Sequence, residues 1–183
     1  MSLILASQSP RRKQLLELLR VPFTVRVADI DETLATDCPI PDAVARLSLR
    51  KAQAIPRDPE DTVIAADTIV VCRNRVLGKP HSPEEAVDML MRLQGREHTV
   101  ITGVWVCSPD GCDGFADSAA VRFYPLTREE AEAYVATGEP MDKAGAYGIQ
   151  GYGTRFVAGI RGDFFNVMGL PAARLIRFLS GKE

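Results

Sequence analysis

The sequence predicts an α/β fold built on a parallel or mixed β-sheet, and three patterns support this. Residues 63–71, Val-Ile-Ala-Ala-Asp-Thr-Ile-Val-Val, form a dense run of β-branched and small apolar residues, which is typical of a strand buried on both faces. Residues 3–6 form a second apolar strand, which leads through a tight turn into a helix. Two capping signals, at Ser82 and Thr127, then open helices between the later strands.

Asp67 is the charged residue inside the central strand. Aspartate is disfavoured in strands, and burial of an unpaired carboxylate costs several kcal/mol. One interpretation is that the strand ends near Ala66 and that Asp67 caps the following turn. The other is that Asp67 has partners or binds a ligand, and the polar residues described below favour it.

The other elements follow from hydrophobic periodicity and from turn residues. The predicted helices are 10–20, 42–54, 83–93, 128–138 and a last one beginning at Pro171. The predicted strands are 23–27, 100–107, 115–124 and 156–160, with a hairpin turn at 73–75.

Composition is that of an ordinary globular protein with one substantial core or two small lobes. The chain has 183 residues, of which 46% are hydrophobic and 25% are charged. A net charge of −2 argues against non-specific binding to nucleic acid. No apolar run is long enough to span a membrane, and the apolar segment 3–6 is too short for a signal peptide, so we expect a cytoplasmic protein.

The four cysteines form no close metal-type pair. Cys107 and Cys112 are the nearest two, and they flank a predicted hairpin turn. We therefore expect free thiols in a reducing compartment rather than disulfides or a zinc site.

The turn after the first strand carries the pattern of an anion site. Ser9 is a suitable N-cap and Pro10 suits the first helical position. Arg11, Arg12 and Lys13 follow in the first helical turn, where the helix dipole disfavours positive charge. A solvated basic turn is the simpler explanation, but the misplaced cations favour a bound anion such as phosphate.

Three further segments carry weaker signals. The acids Asp29, Asp31 and Glu32 suit a hard divalent cation, although by sequence alone a solvated loop is favoured. Lys51 lies in a predicted helix and by itself indicates a surface lysine. Lys79 stands between Gly78 and Pro80, which holds it in an extended turn, but the segment lacks the spacing of a P-loop.

Residues 142–153 contain four glycines within nine residues, together with two tyrosines and Gln150. Such backbone freedom beside aromatic and amide side chains suits recognition of a flat hydrogen-bonding ring such as a nucleobase. A glycine-rich linker is the alternative, although linkers carry more serine and fewer apolar residues.

Five segments taken in order resemble the Maf family of nucleoside triphosphate pyrophosphatases, and the resemblance covers almost the whole chain. Any one of them is a weak signal, but the five in sequence are specific. They are Leu-Ala-Ser-x-Ser-Pro-Arg-Arg at 5–12, Ala-Asp-Thr-Ile-Val at 66–70, Gly-Lys-Pro at 78–80, Asp-Lys-Ala-Gly-Ala-Tyr-Gly-Ile-Gln-Gly at 142–151 and Asn-Val-x-Gly-Leu-Pro at 166–171.

This resemblance implies a fold like that of inosine-triphosphatase-like proteins, with a long mixed sheet, flanking helices, and two lobes with a central cleft in a single domain, 1–183. It implies hydrolysis between the α- and β-phosphates to a nucleoside monophosphate and pyrophosphate, with a divalent cation, Mg²⁺ or Mn²⁺. The loop 142–151 resembles the branch that acts on dTTP and UTP, and modified pyrimidine nucleotides are possible substrates. A homodimer is a further expectation from the family.

The resemblance also assigns residues. Asp67 matches the catalytic proton acceptor, and Arg11, Thr68 and Gln150 match positions tied to substrate choice. The polar cleft positions are matched by Ser7, Arg12, Lys51 and Lys79, and the acidic loop around Glu32 matches less tightly. Glu32 is the candidate for a metal ligand beside Asp67.

Two alternatives remain at this level. A non-catalytic nucleotide-binding regulator of cell division would use the same residues, although a carboxylate facing a triphosphate favours chemistry over binding alone. Within the enzyme class, the alternative is a broad house-cleaning activity on modified nucleotides.

Overall fold

A computed structural model of the chain describes residues 2–27 and 29–182. Residues 1, 28 and 183 lie outside these ranges, so the predicted domain of residues 1–183 is covered only within them. The chain divides into two compact units: Met1–Thr68, Thr102–Asp117 and Gly169–Glu183 form the first, and Ile69–Ile101 and Ser118–Met168 form the second. In the ranges that the structure describes, no helix is both long and apolar enough to cross a membrane.

Strands and helices alternate along most of the chain. The strands are β1 (Leu3–Leu5), β2 (Phe23–Val25), β3 (Thr62–Cys72), β4 (Arg75–Leu77), β5 (Glu97–Ser108), β6 (Gly111–Phe123) and β7 (Val157–Arg161). The helices are α1 (Pro10–Leu16), α2 (Ile40–Gln53), α3 (Pro83–Leu93), α4 (Arg128–Val135), α5 (Phe164–Met168) and α6 (Ala172–Leu179). Short 3-10 helices cover Glu17–Leu19, Glu139–Asp142, Ala144–Ala146 and Gly151–Phe156.

The sheet is mixed, which confirms the predicted fold class. Within the described residues its order is β2-β1-β3-β5-β6-β7, with β4 paired to β3. β1 runs parallel to β2 and to β3, so Leu3 lies opposite both Phe23 and Thr62. β3 pairs with β4, and β6 with β7, in antiparallel fashion. Because β1 is covered on both edges, its residues Ile4 and Leu5 are fully buried.

β3 is the central strand, and it does not end at Ala66. It continues to Cys72, so Asp67 lies within a strand and the interpretation of Asp67 as a turn cap is wrong. The strand is buried throughout its first half, and only Asp67, Thr68 and Val71 are partly accessible. Its Val63 and Ala65 pack with Ile4 in the apolar core of the first unit.

Several element boundaries differ from the predictions. β5 begins three residues earlier, at Glu97. β6 begins four residues earlier, at Gly111, because pairing with β5 extends to the turn through residues that are not alternately apolar. α5 is not among the predicted helices; its first turn is fixed by the Asp163 carboxylate, which accepts the Phe165 N–H at 2.9 Å.

The expectation of free thiols is wrong for one pair of cysteines. Cys107 and Cys112 form a disulfide across the β5–β6 turn, where the hairpin brings their Cα atoms to 4.1 Å. Cys38 and Cys72 are free.

The core of the second unit contains a buried histidine. His98 is 3% exposed, and its Nε2 lies 2.8 Å from the Tyr147 hydroxyl, while Phe123 packs edge-to-face against the imidazole. No residue in the described ranges is a hydrogen-bond partner of its Nδ1. Burial lowers the pKa of His98 from 6.5 to about 4.

This pKa makes stability depend on pH. The folded protein holds His98 neutral, whereas the unfolded chain binds a proton below about pH 6.5, so stability is lost as the pH falls from 6.5 towards 4. We expect His98→Gln to reduce the loss of unfolding free energy between pH 7 and pH 5 by about 2 kcal/mol. Urea denaturation at both pH values measures this, and His81→Gln, at an exposed histidine, is the control. Equal pH dependence in wild type and His98→Gln would contradict it.

Candidate active site

The candidate site of the first unit is centred on Lys51. Its Nζ donates to Asp67 Oδ1 at 2.5 Å and lies 2.9 Å from Glu32 Oε1. The side chains of Lys51 and Asp67 are each 14% exposed, whereas that of Glu32 is 58% exposed. One ammonium group therefore bridges a recessed carboxylate and an accessible one. By sequence alone Lys51 indicated a surface lysine, and the structure shows it recessed and paired.

The strand pattern explains why these groups meet. β1 ends at Leu5, opposite Ile64, and β3 continues past that point to Asp67, so the turn that begins at Ser7 lies at the same end of the parallel pair. Functional groups of α/β proteins gather at such carboxyl ends of parallel strands.

α2 brings Lys51 to this edge. The helix is anchored by Ser48, whose single hydroxyl hydrogen is shared between Val44 O, at 3.0 Å within α2, and Gly103 O, at 2.9 Å on β5. Gly103 permits a very close approach, because a Cβ there would lie 2.7 Å from the Ala45 nitrogen. The placement of Lys51 therefore depends on the packing of α2 against the backbone of β5 at Gly103, where no side chain intervenes.

Arg12 joins three segments of the first unit. Its Nε donates to Gly169 O at 2.8 Å, its Nη1 to Ser7 Oγ at 3.2 Å and its Nη2 to Thr68 Oγ1 at 2.9 Å. Thr68 Oγ1 also lies 2.9 Å from Thr102 Oγ1. Burial lowers the pKa of Arg12, and the Asp67 carboxylate opposes this effect.

These contacts change what Arg12 can offer an anion. Three of its five N–H groups are directed at protein oxygens, so we assign it first to holding Ser7, Thr68 and Gly169 together. The hydrogen bond from Arg12 to Gly169 O also accounts for the glycine in segment 166–171. Gly169 has a φ of +116°, and this backbone conformation turns its carbonyl towards the Arg12 guanidinium.

The predicted anion site at the start of α1 is partly filled by the chain's own serines. The Ser9 N–H donates to Ser7 Oγ at 3.2 Å, and the Arg12 N–H donates to Ser9 Oγ at 3.4 Å, which confirms Ser9 as the N-cap. Arg11 is half-buried and makes interactions of its own. The turn is therefore preorganised around side chains rather than open backbone N–H groups.

Two acidic side chains of the first unit are carboxylate donors of the kind that a divalent cation binds. Within residues 2–27 and 29–182 there is no group of three His, Cys, Asp or Glu side chains that could hold a metal. Two carboxylates, from Asp67 and Glu32, converge on the positive charge of Lys51 Nζ. Mg²⁺ is commonly held by one or two carboxylates together with substrate phosphates and water, and the donor set here is of that kind.

Two predicted residues lie in the second unit. Lys79 is exposed beside Gly78, whose carbonyl accepts the Gly145 N–H at 2.9 Å, so its turn is joined to the loop 142–153. Gln150 is exposed within that loop. The other predicted residues belong to the first unit, namely Ser7, Arg11, Arg12, Glu32, Lys51, Asp67 and Thr68.

Sequence reasoning missed two residues that organise the Gln150 loop. The Glu139 carboxylate accepts the Tyr152 N–H at 2.8 Å and the Gly153 N–H at 3.1 Å, and the Tyr134 hydroxyl donates to it at 2.9 Å. No spacing in the sequence predicts this carboxylate, because its partners are backbone groups and one tyrosine.

Comparison with known proteins places the chain in a family. The family model described as Maf-like protein matches residues 2–182. The chain belongs to the Maf-like protein family. This confirms the resemblance drawn from the five sequence segments.

Similar proteins align with almost the whole length of this Maf-like chain. It is 50% identical over 178 residues to a protein of Halalkalibacterium halodurans named dTTP/UTP pyrophosphatase, covering 97% of this chain and 94% of the relative. It is 52% identical over 176 residues to a Geobacillus protein of the same name, covering 96% and 95%. The solved structure of a HAM1 protein from Coxiella burnetii matches with a TM-score of 0.56 at 15% identity, over 99% of each chain, which supports the same fold.

Proposed function

We propose that this chain is a nucleoside triphosphate pyrophosphatase that hydrolyses dTTP and UTP to the monophosphate and pyrophosphate. The observation that carries the proposal is the recessed pair of Lys51 and Asp67, joined by Glu32, in a chain whose relatives at about 50% identity are named dTTP/UTP pyrophosphatase. A carboxylate held against an ammonium suits phosphoryl hydrolysis, which needs a positioned water and charge neutralisation.

A divalent cation, Mg²⁺ or Mn²⁺, is part of the proposal, with Asp67 and Glu32 as its protein ligands. Such an ion, when bound, supplies positive charge to the phosphate oxygens and lowers the pKa of a bound water. The structure supports this assignment through the two carboxylates that face one positive charge.

Asp67 is proposed as the proton acceptor. A water oxygen bonds to the α-phosphorus, the bond from that phosphorus to the bridging oxygen breaks, and pyrophosphate leaves with the electron pair. The proton of the water goes to the Asp67 carboxylate. Since Lys51 holds Oδ1, Oδ2 is the oxygen assigned to this transfer.

Positive side chains would stabilise the developing negative charge. The Lys51 ammonium has three N–H groups, so it can keep its contact with Asp67 Oδ1 and also donate to a phosphate oxygen. Arg11 and Lys79 are the further proposed cations. Arg12 and Thr68 are the proposed substrate-binding pair, and the hydrogen bond between them fixes their positions.

The experiment measures products from a panel of nucleoside triphosphates with Mg²⁺ or Mn²⁺. Fast turnover of dTTP and UTP, with the monophosphate and pyrophosphate as products, is expected. Tight dTTP binding without turnover would favour the regulatory alternative, and orthophosphate as the sole product would place cleavage at the γ-phosphate. Faster turnover of modified pyrimidine nucleotides would favour the house-cleaning alternative.

Gln150 is proposed to read the pyrimidine edge. In one orientation its amide NH₂ donates to O4 and its amide oxygen accepts the N3–H of thymine or uracil. Held in that orientation, the NH₂ group would face the amino group of cytosine, so donor would meet donor. We expect Gln150→Ala to reduce the ratio of kcat/KM for dTTP over CTP by roughly tenfold. Gln53→Ala, at an exposed glutamine that ends α2, is the control. An unchanged dTTP/CTP ratio in Gln150→Ala would contradict this role.

A further inference from the structure

The loop that carries Gln150 is wrapped around a single carboxylate. Glu139 Oε2 accepts the Tyr152 N–H at 2.8 Å, and Glu139 Oε1 accepts the Gly153 N–H at 3.1 Å. These two N–H groups belong to the first turn of the 3-10 helix Gly151–Phe156, which begins directly after Gln150. One side chain therefore fixes the backbone on the carboxyl-terminal side of Gln150.

A second group fixes the other side. The Tyr134 hydroxyl donates to Glu139 Oε1 at 2.9 Å and accepts the Gly148 N–H at 3.1 Å. Burial raises the pKa of the Tyr134 hydroxyl, so it stays protonated and can donate. Glu139 and Tyr134 together hold the segment from Gly148 to Gly153, with Gln150 between the held positions.

The glycines of this segment serve close packing rather than freedom of movement. A Cβ on Gly151, whose φ is +76°, would lie 2.5 Å from Glu139 Oε2. A Cβ on Gly153 would lie 2.5 Å from Gly148 O and 2.8 Å from the Tyr134 hydroxyl. Side chains at these positions would push the backbone away from the carboxylate and the hydroxyl.

Glu139 is ionised under ordinary conditions. Burial raises its pKa, but the N–H groups of Tyr152 and Gly153 and the Tyr134 hydroxyl outweigh this effect, so the net pKa is lowered. A carboxylate only accepts hydrogen bonds, which suits a position where three donors converge. A glutamine of the same size carries an NH₂ group in place of one acceptor, so a donor would meet a donor.

We propose that Glu139 is a positioning residue that sets the conformation of residues 148–153 and thereby directs the Gln150 amide at the pyrimidine ring. The proposal rests on the proposed function, in which Gln150 reads the base. Gln150 is exposed while its neighbour Ile149 is buried, so the backbone that Glu139 holds sets the direction in which the Gln150 side chain leaves the chain.

The first test needs no activity. We expect Glu139→Gln to speed amide hydrogen exchange at Tyr152 or Gly153 by on the order of tenfold, because one of these two amides then faces an NH₂ group instead of an acceptor. Tyr134→Phe keeps the ring and removes the hydroxyl alone, so it should speed exchange mainly at Gly148. Glu132→Gln, at an exposed residue of α4, is the matched control and should leave all three amides unchanged.

The second test separates positioning from general damage. Glu139→Gln is expected to lower the dTTP/CTP ratio of kcat/KM by about tenfold, mainly through a higher KM for dTTP. If Glu139 acts through Gln150, the double variant Glu139→Gln/Gln150→Ala should be no less selective than Gln150→Ala. A loss of stability alone would lower the activity on both nucleotides and leave their ratio unchanged.

The outcomes are distinct. Unchanged amide exchange in Glu139→Gln, or losses of selectivity that simply multiply in the double variant, would overturn the positioning role while the proposed function stands. Absence of dTTP and UTP turnover by the wild-type protein would overturn the proposed function and with it the link to the base. Faster exchange, lower selectivity and no further loss in the double variant support the proposal.

Discussion

Asp67→Asn is expected to reduce kcat for dTTP by at least roughly a thousandfold, because the amide cannot accept the proton of the attacking water. The side chain keeps its size, and Lys51 keeps Glu32 as an acidic partner. Circular dichroism and thermal melting would show that the variant is folded, and pyrophosphate release measures the chemistry.

The control for this prediction is Asp37→Asn, which removes an exposed carboxylate paired with Arg46 in the same unit. It should retain wild-type turnover, because exposed ion pairs contribute little to stability. If Asp67→Asn keeps more than about a tenth of wild-type kcat, Asp67 is not the proton acceptor, since removal of a general base costs about 10² to 10⁴ in rate.

Gly103→Ala is expected to lower the free energy of unfolding by about 3 kcal/mol, because the new methyl group would meet the backbone of α2. Its Cβ would lie 2.7 Å from the Ala45 nitrogen and 2.8 Å from the Val44 carbonyl carbon, and neither atom can rotate away. The helix would have to move outwards, which weakens the bond from Ser48 to Gly103 O and displaces Lys51.

Thermal melting and pyrophosphate release would measure both consequences in one variant. A loss of about 10 °C in the melting temperature is expected for a chain of this size, with a fall in kcat at temperatures where the protein is still folded. Gly159→Ala is the matched control, because a Cβ at that strand glycine has nothing within 4 Å. Equal effects of the two substitutions would show that the packing of α2 on β5 does not require glycine at position 103.

Local patterns were enough to predict the elements that surround the candidate site. The β-branched run around Asp67, the N-cap at Ser9 and the capping box of Thr127 all lie in the structure where the sequence placed them. These features are decided by residues within about one turn or one strand of each other, so local sequence patterns predict them.

Contacts between distant parts of the chain cannot be predicted from local sequence patterns. Arg12 and Gly169 are 157 residues apart, and Lys51 is 16 residues from Asp67, so their pairing depends on how strands and helices pack. The disulfide at Cys107 was missed because thiol chemistry was judged from compartment and spacing, whereas a hairpin sets the geometry. Glu139 was missed because backbone amides, which every residue carries, are its main partners.

The ammonium of Lys51 acts as a counter-ion built into the chain. Without such a partner, burial of a recessed carboxylate such as Asp67 would cost stability. Since that charge comes from α2 of the same chain, the carboxylate gains its counter-ion as part of folding. The Asp67 carboxylate is therefore paired in the folded chain without a cation from solution.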